Sequence, residues 1–386
     1  MINSDAHYRF ASEMGAEEHF LLISAPSGRD FVAALGEMKE RYDQAVCSAG
    51  IPRDSLIMSR LFLSDIANQA PVVAESIFFS DLSRGAFSVL EQRPCFGAQA
   101  LLLAYHVHHP SLLLEKMVSM DSENCRNSVF LRGAHYNLLA QCHCNGTAIL
   151  SSATQTREAL EHLEDGLRRH AMELRENTVR TWIYVRDIDN HYPAMGEERR
   201  RFFRQRNLTE ETRYIASTGI EAALIRPETL ISVDALSFQN LQPAQIVRME
   251  APTHLCPTAQ YGITFERGTK LTFGDRDQLI LSGTASIDRN GEIVAPRDIV
   301  GQTRRTLENI VALFEPHGAD LADLAHAVVY VRNPVEADQV AKVLEREIPG
   351  HVPVVMVHAP VCRPGWLVEI EGLAIRPASN SFPPFI

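Results

Sequence analysis

No stretch of this sequence approaches the ~20 consecutive apolar residues needed to cross a bilayer, so no membrane-spanning helix is expected. A cysteine framework is also missing. The seven cysteines, Cys47, Cys95, Cys125, Cys142, Cys144, Cys256 and Cys362, are odd in number and share no spacing, which excludes a disulfide scaffold. No charged-then-apolar leader opens the chain, and a cytoplasmic setting is the expectation. Basic residues are in the minority: 37 Lys and Arg against 48 Asp and Glu give a formal net charge of -11. Phosphate neutralisation needs a concentrated basic face, so nucleic acid is not expected as a partner. The one dense basic segment, "EERRRFFRQR" at 197–206, has helical spacing and acids before it. It fits a solvated helix face first and a source of substrate-carboxylate ligands second.

Metal and nucleotide patterns are equally scarce. "QCHCNG" places Cys142 and Cys144 on one face of a strand and His143 on the other, and "YHVHHP" adds His106, His108 and His109. Neither has the knuckle or helical spacing of a zinc site, so no metal is expected. "GTKLTFG" and similar glycine segments lack the Walker pattern. No cofactor is implied.

What the chain does have is repetition. In the C-terminal third, "QLILSGTASIDRNGEI" (278–293) reads as a strand, a turn at Arg289-Asn290-Gly291 and the start of a second strand. "GQTRRTLENIVALFEPHGA" puts Leu307, Ile310, Val311 and Phe314 on one helical stripe ending near Gly318. Strand "LAHAVVYVRN", helix "PVEADQVAKVLEREI", strand "VPVVMVHA" and strand "WLVEIEGLAI" follow, in the order β-β-α-β-α-β-β. The same order recurs upstream, where "TWIYVRD" lies over "AVVYVRN" and "LISVDALSF" over "LVEIEGLAI". A fainter copy precedes it, with strand "EHFLLIS", a helix over 29–48 striped by Phe31, Leu35, Met38 and Tyr42, and strands "SLIMSRLFLSD" and "AQALLLAYHV". Three repeats are expected, over 1–120, 130–245 and 251–386. Each should form an α+β module with both helices on one face of its sheet, and the bare faces of the three sheets should close around a pseudo-threefold axis.

Superposing the last strands sets Glu369 against Ser232 and Leu101, and Glu371 against Asp234 and Leu103. Glu371 therefore has an acidic counterpart and reads as architectural. Glu369 has none and lies among apolar neighbours, where a carboxyl keeps its proton to higher pH and suits general acid or base work. An edge-strand Glu paired with an Arg is the plainer reading of the same residue.

"LSGTASID..GEI", "Q..RTLENI", "HAVVYVRN" and "VCRPGWLVEIEG" resemble the RidA/YjgF superfamily, whose members have a chorismate-mutase-like fold and form trimers with sites between subunits. Within it the longer chorismatases are the nearer match, through "GTASI", "CRPGWLVEIE" and "RTWIYVRDID…ERRRFFRQR", covering about residues 178–376. The resemblance places Glu369 on the catalytic acid, Cys362 on a pocket-lining position, Arg363 on a motif arginine and Tyr261 on the family tyrosine. Two departures stand out. The small imine deaminases carry a carboxylate-binding arginine after the proline of the penultimate strand, where this chain has Val354 and Val355. Chorismatases carry Tyr-Gly-Pro-Arg-Ser-Pro, where "YGITFERG" keeps Tyr261 and Gly262 but moves the arginine to Arg267.

Enol-ether or enamine hydrolysis starts with protonation at carbon, for which one acid and cationic clamps suffice. Glu369 is the candidate acid, and Arg363, Arg267 and Arg180 are the candidate clamps for a small carboxylate metabolite. Tyr261 is a candidate for orienting substrate, Cys362 for a pocket wall, and Gly283 with Thr284 for close backbone approach, as is Gly219 in "STGIE". Three functions compete on these residues: a chorismatase-like hydrolase or lyase, an imine or enamine deaminase, and a non-catalytic metabolite-binding protein. A trimer follows from the family habit and an internally closed monomer from the three repeats.

Overall fold

The computed structural model describes residues 2–121, 126–146, 151–258 and 264–386. The first repeat comprises β1 (Ala6–Phe10), β2 (Glu17–Ser24), α1 (Phe31–Ser48), β3 (Leu56–Leu63), α2 (Ile66–Glu75), α3 (Ile77–Leu82), β4 (Ala86–Glu91), a two-residue β5 (Arg93–Pro94) and β6 (Ala100–His108). The second runs through β7 (Glu115–Asp121), β8 (Arg126–Arg132), β9 (Asn137–Asn145), α4 (Ser152–Arg168), α5 (Leu174–Asn177), β10 (Thr178–Val185), α6 (Ile188–Arg204), β11 (Ala216–Glu221) and β12 (Ile231–Gln239). The third has β13 (Ile246–Arg248), β14 (Gly268–Thr272), β15 (Arg276–Ala285), α7 (Ile299–Phe314), β16 (Leu324–Val331), α8 (Ala337–Glu347), β17 (Val354–His358) and β18 (Val368–Pro377).

The three sheets share one internal order. Each has an antiparallel strand pair beside the repeat's last strand, then a strand that pairs in parallel with its neighbour: β2-β6-β3-β4, β9-β12-β10-β11 and β15-β18-β16-β17. Helices cover the outer faces. Leu35, Met38 and Tyr42 of α1 pack on the first sheet, Leu160, Leu163 and Leu167 of α4 on the second, and α7 lies on β15 and β18 against α8. The inner faces meet in one core that draws Phe62 and Leu103, Trp182 and Phe238, and Leu281 and Ile375 from the three sheets.

Contacts between repeats run in a ring. The β4 backbone is read by the second repeat, with Phe87 N–H donating to Asn127 Oδ1 (2.6 Å) and Val89 N–H to His143 Nε2 (3.1 Å). β11 lies along the third repeat, through bridges Ala216 to Glu266 and Ile220 to Val361. β17 closes the ring onto the first, pairing with β5 and exchanging hydrogen bonds with the Asn3 side chain at Met356. This is the expected pseudo-threefold arrangement. Register confirms the strand superposition: Glu369, Ser232 and Leu101 pair with Tyr330, Tyr184 and Phe62, while Glu371, Asp234 and Leu103 pair with Val328, Trp182 and Arg60.

Two local expectations are corrected. The turn expected at Arg289-Asn290-Gly291 is present, closed by Gly291 N–H donating to Asp288 O and by Asp288 Oδ1 accepting from Asn290 N–H and Glu292 N–H, but beyond the antiparallel bridge from Ile287 to Ile293 no second strand follows it before α7. The strand partner of β15 is β14, so the hairpin turns at 273–275 instead. On α7 the buried stripe runs through Leu307, Ile310, Leu313 and Phe314, while Val311 is 38% exposed. Glu315-Pro316 then ends the helix, and Gly318 takes a positive φ of 68°. No helix among the described residues is long and apolar enough to cross a membrane.

Candidate active site

The two glutamates of β18 sit on one face, two residues apart, and have opposite surroundings. Glu371 is saturated. Arg60 Nη1 (2.7 Å) and Trp182 Nε1 (2.8 Å) donate to Oε1, Arg180 Nη2 (2.5 Å) donates to Oε2, and the Thr218 hydroxyl adds a further bond. Each repeat thus sends a side chain to one point near the axis. Arg60 and Arg180 lie 4.9 and 4.7 Å from the Trp182 ring, a cation–π arrangement that spreads their charge over the indole. The two guanidinium groups outweigh the burial penalty and hold the Glu371 carboxyl down to about 2.

Glu369 is equally buried, at 3% exposure, yet its carboxyl makes no hydrogen bond or ion pair among the described residues. Burial, aided by the nearby Glu371 charge, pushes it up to about 8, against the opposing pull of Arg180 and Arg267. Two carboxyls whose environments drive them apart in this way are suited to different tasks, one fixed as an anion and one able to carry a proton near neutrality.

Glu369 lies where β11 meets β15. The register between β15 and β18 slips between Leu281 and Thr284, which frees Ser282 and Gly283 from the ladder and turns them towards the second repeat. Ser282 Oγ accepts from Ser217 N–H (2.9 Å), and Thr218 Oγ1 accepts from Gly283 N–H (2.9 Å) and from Arg180 Nη2 (2.6 Å). The small-residue segments "STGIE" and "SGTAS" are thereby brought face to face. A Cβ on Gly283 would overlap Glu369 Oε1 and come within 3.1 Å of Thr218 Cγ2. Gly283→Ala is therefore expected to displace the Glu369 carboxyl, costing about 1–3 kcal/mol of stability and most of any turnover, as thermal denaturation and a substrate assay would register. In the second repeat the same slip in register falls at Cys142 and His143, where His143 has φ of 54° and fills the space with a ring bonded to β4. Its Asp234 is consumed by Ser88 Oγ and His143 N–H.

The remaining candidates divide between those around Glu369 and those away from it. Arg180 is buried, and its Nη1 finds no partner among the described residues. Arg267 is buried, donates to Cys256 O (3.1 Å) and acts electrostatically on Glu369. Cys362 is half-buried, next to Tyr192 and Arg199 of α6; burial and the Glu369 charge push its thiol up to about 12, the state of a wall residue and not of a nucleophile. Arg363 stacks 5.2 Å from the Trp366 ring and acts electrostatically on Cys362. The Thr284 hydroxyl is spent on Ser282 O. Tyr261 lies outside the described residues.

Thr218, Tyr192 and Arg199 escaped the sequence reading. Arg199 belongs to the basic segment read first as solvated: of its arginines, Arg199 is 2% exposed and donates to Thr264 Oγ1 (3.1 Å), whereas Arg201 is exposed. Two cavities lie near these residues. One lies on the axis, lined by Arg60, Arg180, Trp182, His326 and Glu371; the other lies between 248–258 and 265–267, with Arg267 in its wall. Glu369 lines neither, while Arg180 lines the first and Arg267 the second, and both act electrostatically on Glu369.

Comparisons with known proteins agree with this architecture. Residues 272–376 match the family model "Endoribonuclease L-PSP". A chorismatase from Streptomyces hygroscopicus is 30% identical over 213 residues, covering 50% of this chain and 60% of the relative. One from Streptomyces rapamycinicus is 29% identical over 217 residues, with 50% and 63% covered. The chain thus matches somewhat under two thirds of the length of these relatives. A chorismatase crystal structure superposes with a TM-score of 0.61 at 20% identity, covering 83% of this chain and 93% of that one, which shows a shared fold. The fold is thus the one the chorismatase structure has, built from three repeats, and residues 272–376 match the L-PSP family model. In sequence, too, the chain resembles the chorismatases.

Proposed function

We propose that this chain hydrolyses, or eliminates from, a small unsaturated carboxylic acid of the enol-ether or enamine type, in chorismatase-like chemistry that needs no cofactor at this site. The observation that carries the reading is the Glu369 carboxyl: buried, without a hydrogen bond among the described residues, raised to about 8 and flanked by Arg180 and Arg267. Protonated Glu369 gives its proton to the double-bond carbon of the substrate, leaving an oxocarbenium ion. Water adds to that cation while the Glu369 carboxylate takes the water's proton, and the hemiketal collapses to an alcohol and a keto acid. One water is consumed and nothing is oxidised. Arg180, through its spare Nη1, and Arg267 hold the substrate carboxylates. Substrate approaches from the Arg267 side, where the second cavity lies. The residues around Glu369 come from β11 and β15 of one chain, so a monomer suffices for this chemistry.

An imine deaminase is the weaker reading, because Val354 and Val355, which follow Pro353 where those enzymes carry their arginine, are buried in β17. The deciding experiment offers the purified chain an enolpyruvyl ether, chorismate, and separately imines generated by an amino-acid oxidase. Pyruvate release from the first, with no acceleration of ammonia release from the second, is the expected result. Ammonia release without pyruvate would overturn it.

A further inference from the structure

The N-terminal sheet carries a polar cluster that Glu369 chemistry does not use. In β1, β2 and β6, Arg9 pairs with His19 and Glu17 with His108. Residues two apart on a strand share a face, so Glu17 and His19 both point to the side on which His108 stands. His19 Nε2 lies 3.3 Å from Glu17 Oε2 and 3.2 Å from His108 Nε2, and His108 Nε2 lies 3.8 Å from the same carboxylate oxygen. A triangle with these edges has a point about 2.0 Å from all three corners, the bond length of zinc to imidazole nitrogen and carboxylate oxygen. Three side chains of types that bind zinc therefore converge at bonding distance without rearrangement.

The surroundings match a metal centre as well. His19 has a fully buried side chain, and its Nδ1 lies 2.9 Å from His7 Nε2. An outer partner on the second ring nitrogen is what fixes the tautomer and orientation of a metal-ligating histidine. Glu17 is held in place by Arg9, whose Nε and Nη2 donate to its two oxygens at 2.8 Å each. A carboxylate oxygen has two lone pairs and accommodates the Arg9 bond beside an ion.

We propose that Glu17, His19 and His108 bind one divalent ion of the zinc class, with His7 as the outer residue that orients His19 and a fourth coordination position open to water. The reading of "YHVHHP" as metal-free weighed His106 and His108 along their own strand. The partners of His108 lie across the sheet, 89 residues away in sequence. His106 is not among the ligands; it faces α1 and bonds Tyr42 and Ser55.

The test is calorimetric titration of the full, chelator-treated chain with Zn2+. One tight equivalent is expected. His108→Asn and Glu17→Gln, changes at partly exposed side chains, should weaken binding by at least about 100-fold, and His7→Ala by about 10- to 100-fold. His109→Asn, next in sequence but bonded to Ser111 and Leu112 N–H, should bind as wild type does. Far-UV circular dichroism of each variant separates loss of ligand from loss of fold. Absence of a saturable equivalent in the wild type, or its persistence in a folded His108→Asn, would overturn the proposal and leave a hydrogen-bonded imidazole chain capping the Arg9–Glu17 ion pair.

Discussion

Glu369→Gln is expected to lower turnover by about 100- to 10,000-fold while leaving the protein folded as well as before, or better. The kinetic half follows from the role assigned to the acid: an amide has no proton to give to carbon and cannot take one from water. The wild-type rate should fall as pH rises through about 8, where the Glu369 carboxyl ionises. The stability half follows from linkage. Burial raises this carboxyl from 4.5 to about 8 in the folded state, so between those pH values the unfolded chain has released a proton that the folded chain still holds. Wild-type stability therefore declines as pH rises from 4.5 to 8 and levels off above it, a penalty of roughly a few kcal/mol. The glutamine variant has no such group. Thermal denaturation at pH 5 to 9 should show its advantage over wild type growing up to about pH 8. Full turnover in the variant would sink the catalytic assignment, and a stability gap that does not change with pH would sink the account of the environment.

The repeat architecture was legible because it is written in periodicity, and periodicity survives divergence. "AVVYVRN" and "TWIYVRD" align because both are interior strands buried on their two faces, where β-branched and aromatic residues are favoured whatever the function. The last-strand superposition held to the residue, as the shared partners Tyr330, Tyr184 and Phe62 show. The strand missing after Asn290-Gly291 has a local cause. Asn-Gly is a strong turn signal, but here it closes a loop around the Asp288 carboxylate. "GTKLT", the real partner of β15, looks unremarkable because its pairing is set by tertiary packing.

Around Glu369, the sequence could nominate residues but not assign their contacts. Glu369 stood out because the other repeats lack an acid at its position. Thr218 did not, since a threonine in "STGIE" carries no mark of the Gly283 N–H and Arg180 bonds it accepts from another part of the chain. Arg180 was proposed as a substrate clamp, and much of its guanidinium is committed to Thr218 and Glu371. Glu371 was read as architectural through its likeness to Asp234. The two nevertheless do different work: Asp234 secures the boundary between the first and second repeats, while Glu371 ties all three together.

That difference sets up the second large effect. Glu371→Gln, two residues from a substitution expected to be harmless to the fold, should destabilise the protein by about 3–5 kcal/mol. The cost comes less from the lost bonds than from what remains: Arg60 and Arg180, 5% and 2% exposed at the side chain, would share the core without a counter-ion. For a chain of this size, unfolding as one unit, the melting temperature should drop by about 4–6 °C. The pH signature is also opposite in sign to that of Glu369. Because the Glu371 carboxyl is held down to about 2 from 4.5, its contribution is fully present above pH 4.5 and is lost as pH falls towards 2. Acid unfolding should therefore narrow the gap between wild type and Glu371→Gln. Adding Arg60→Met to that variant removes one of the stranded cations, so the double substitution should cost less than the sum of the single ones, by about 0.5–3 kcal/mol. Strict additivity in that cycle would mean that the axial ion pair does not couple the first and third repeats, and the ring would then owe its closure to the apolar faces alone.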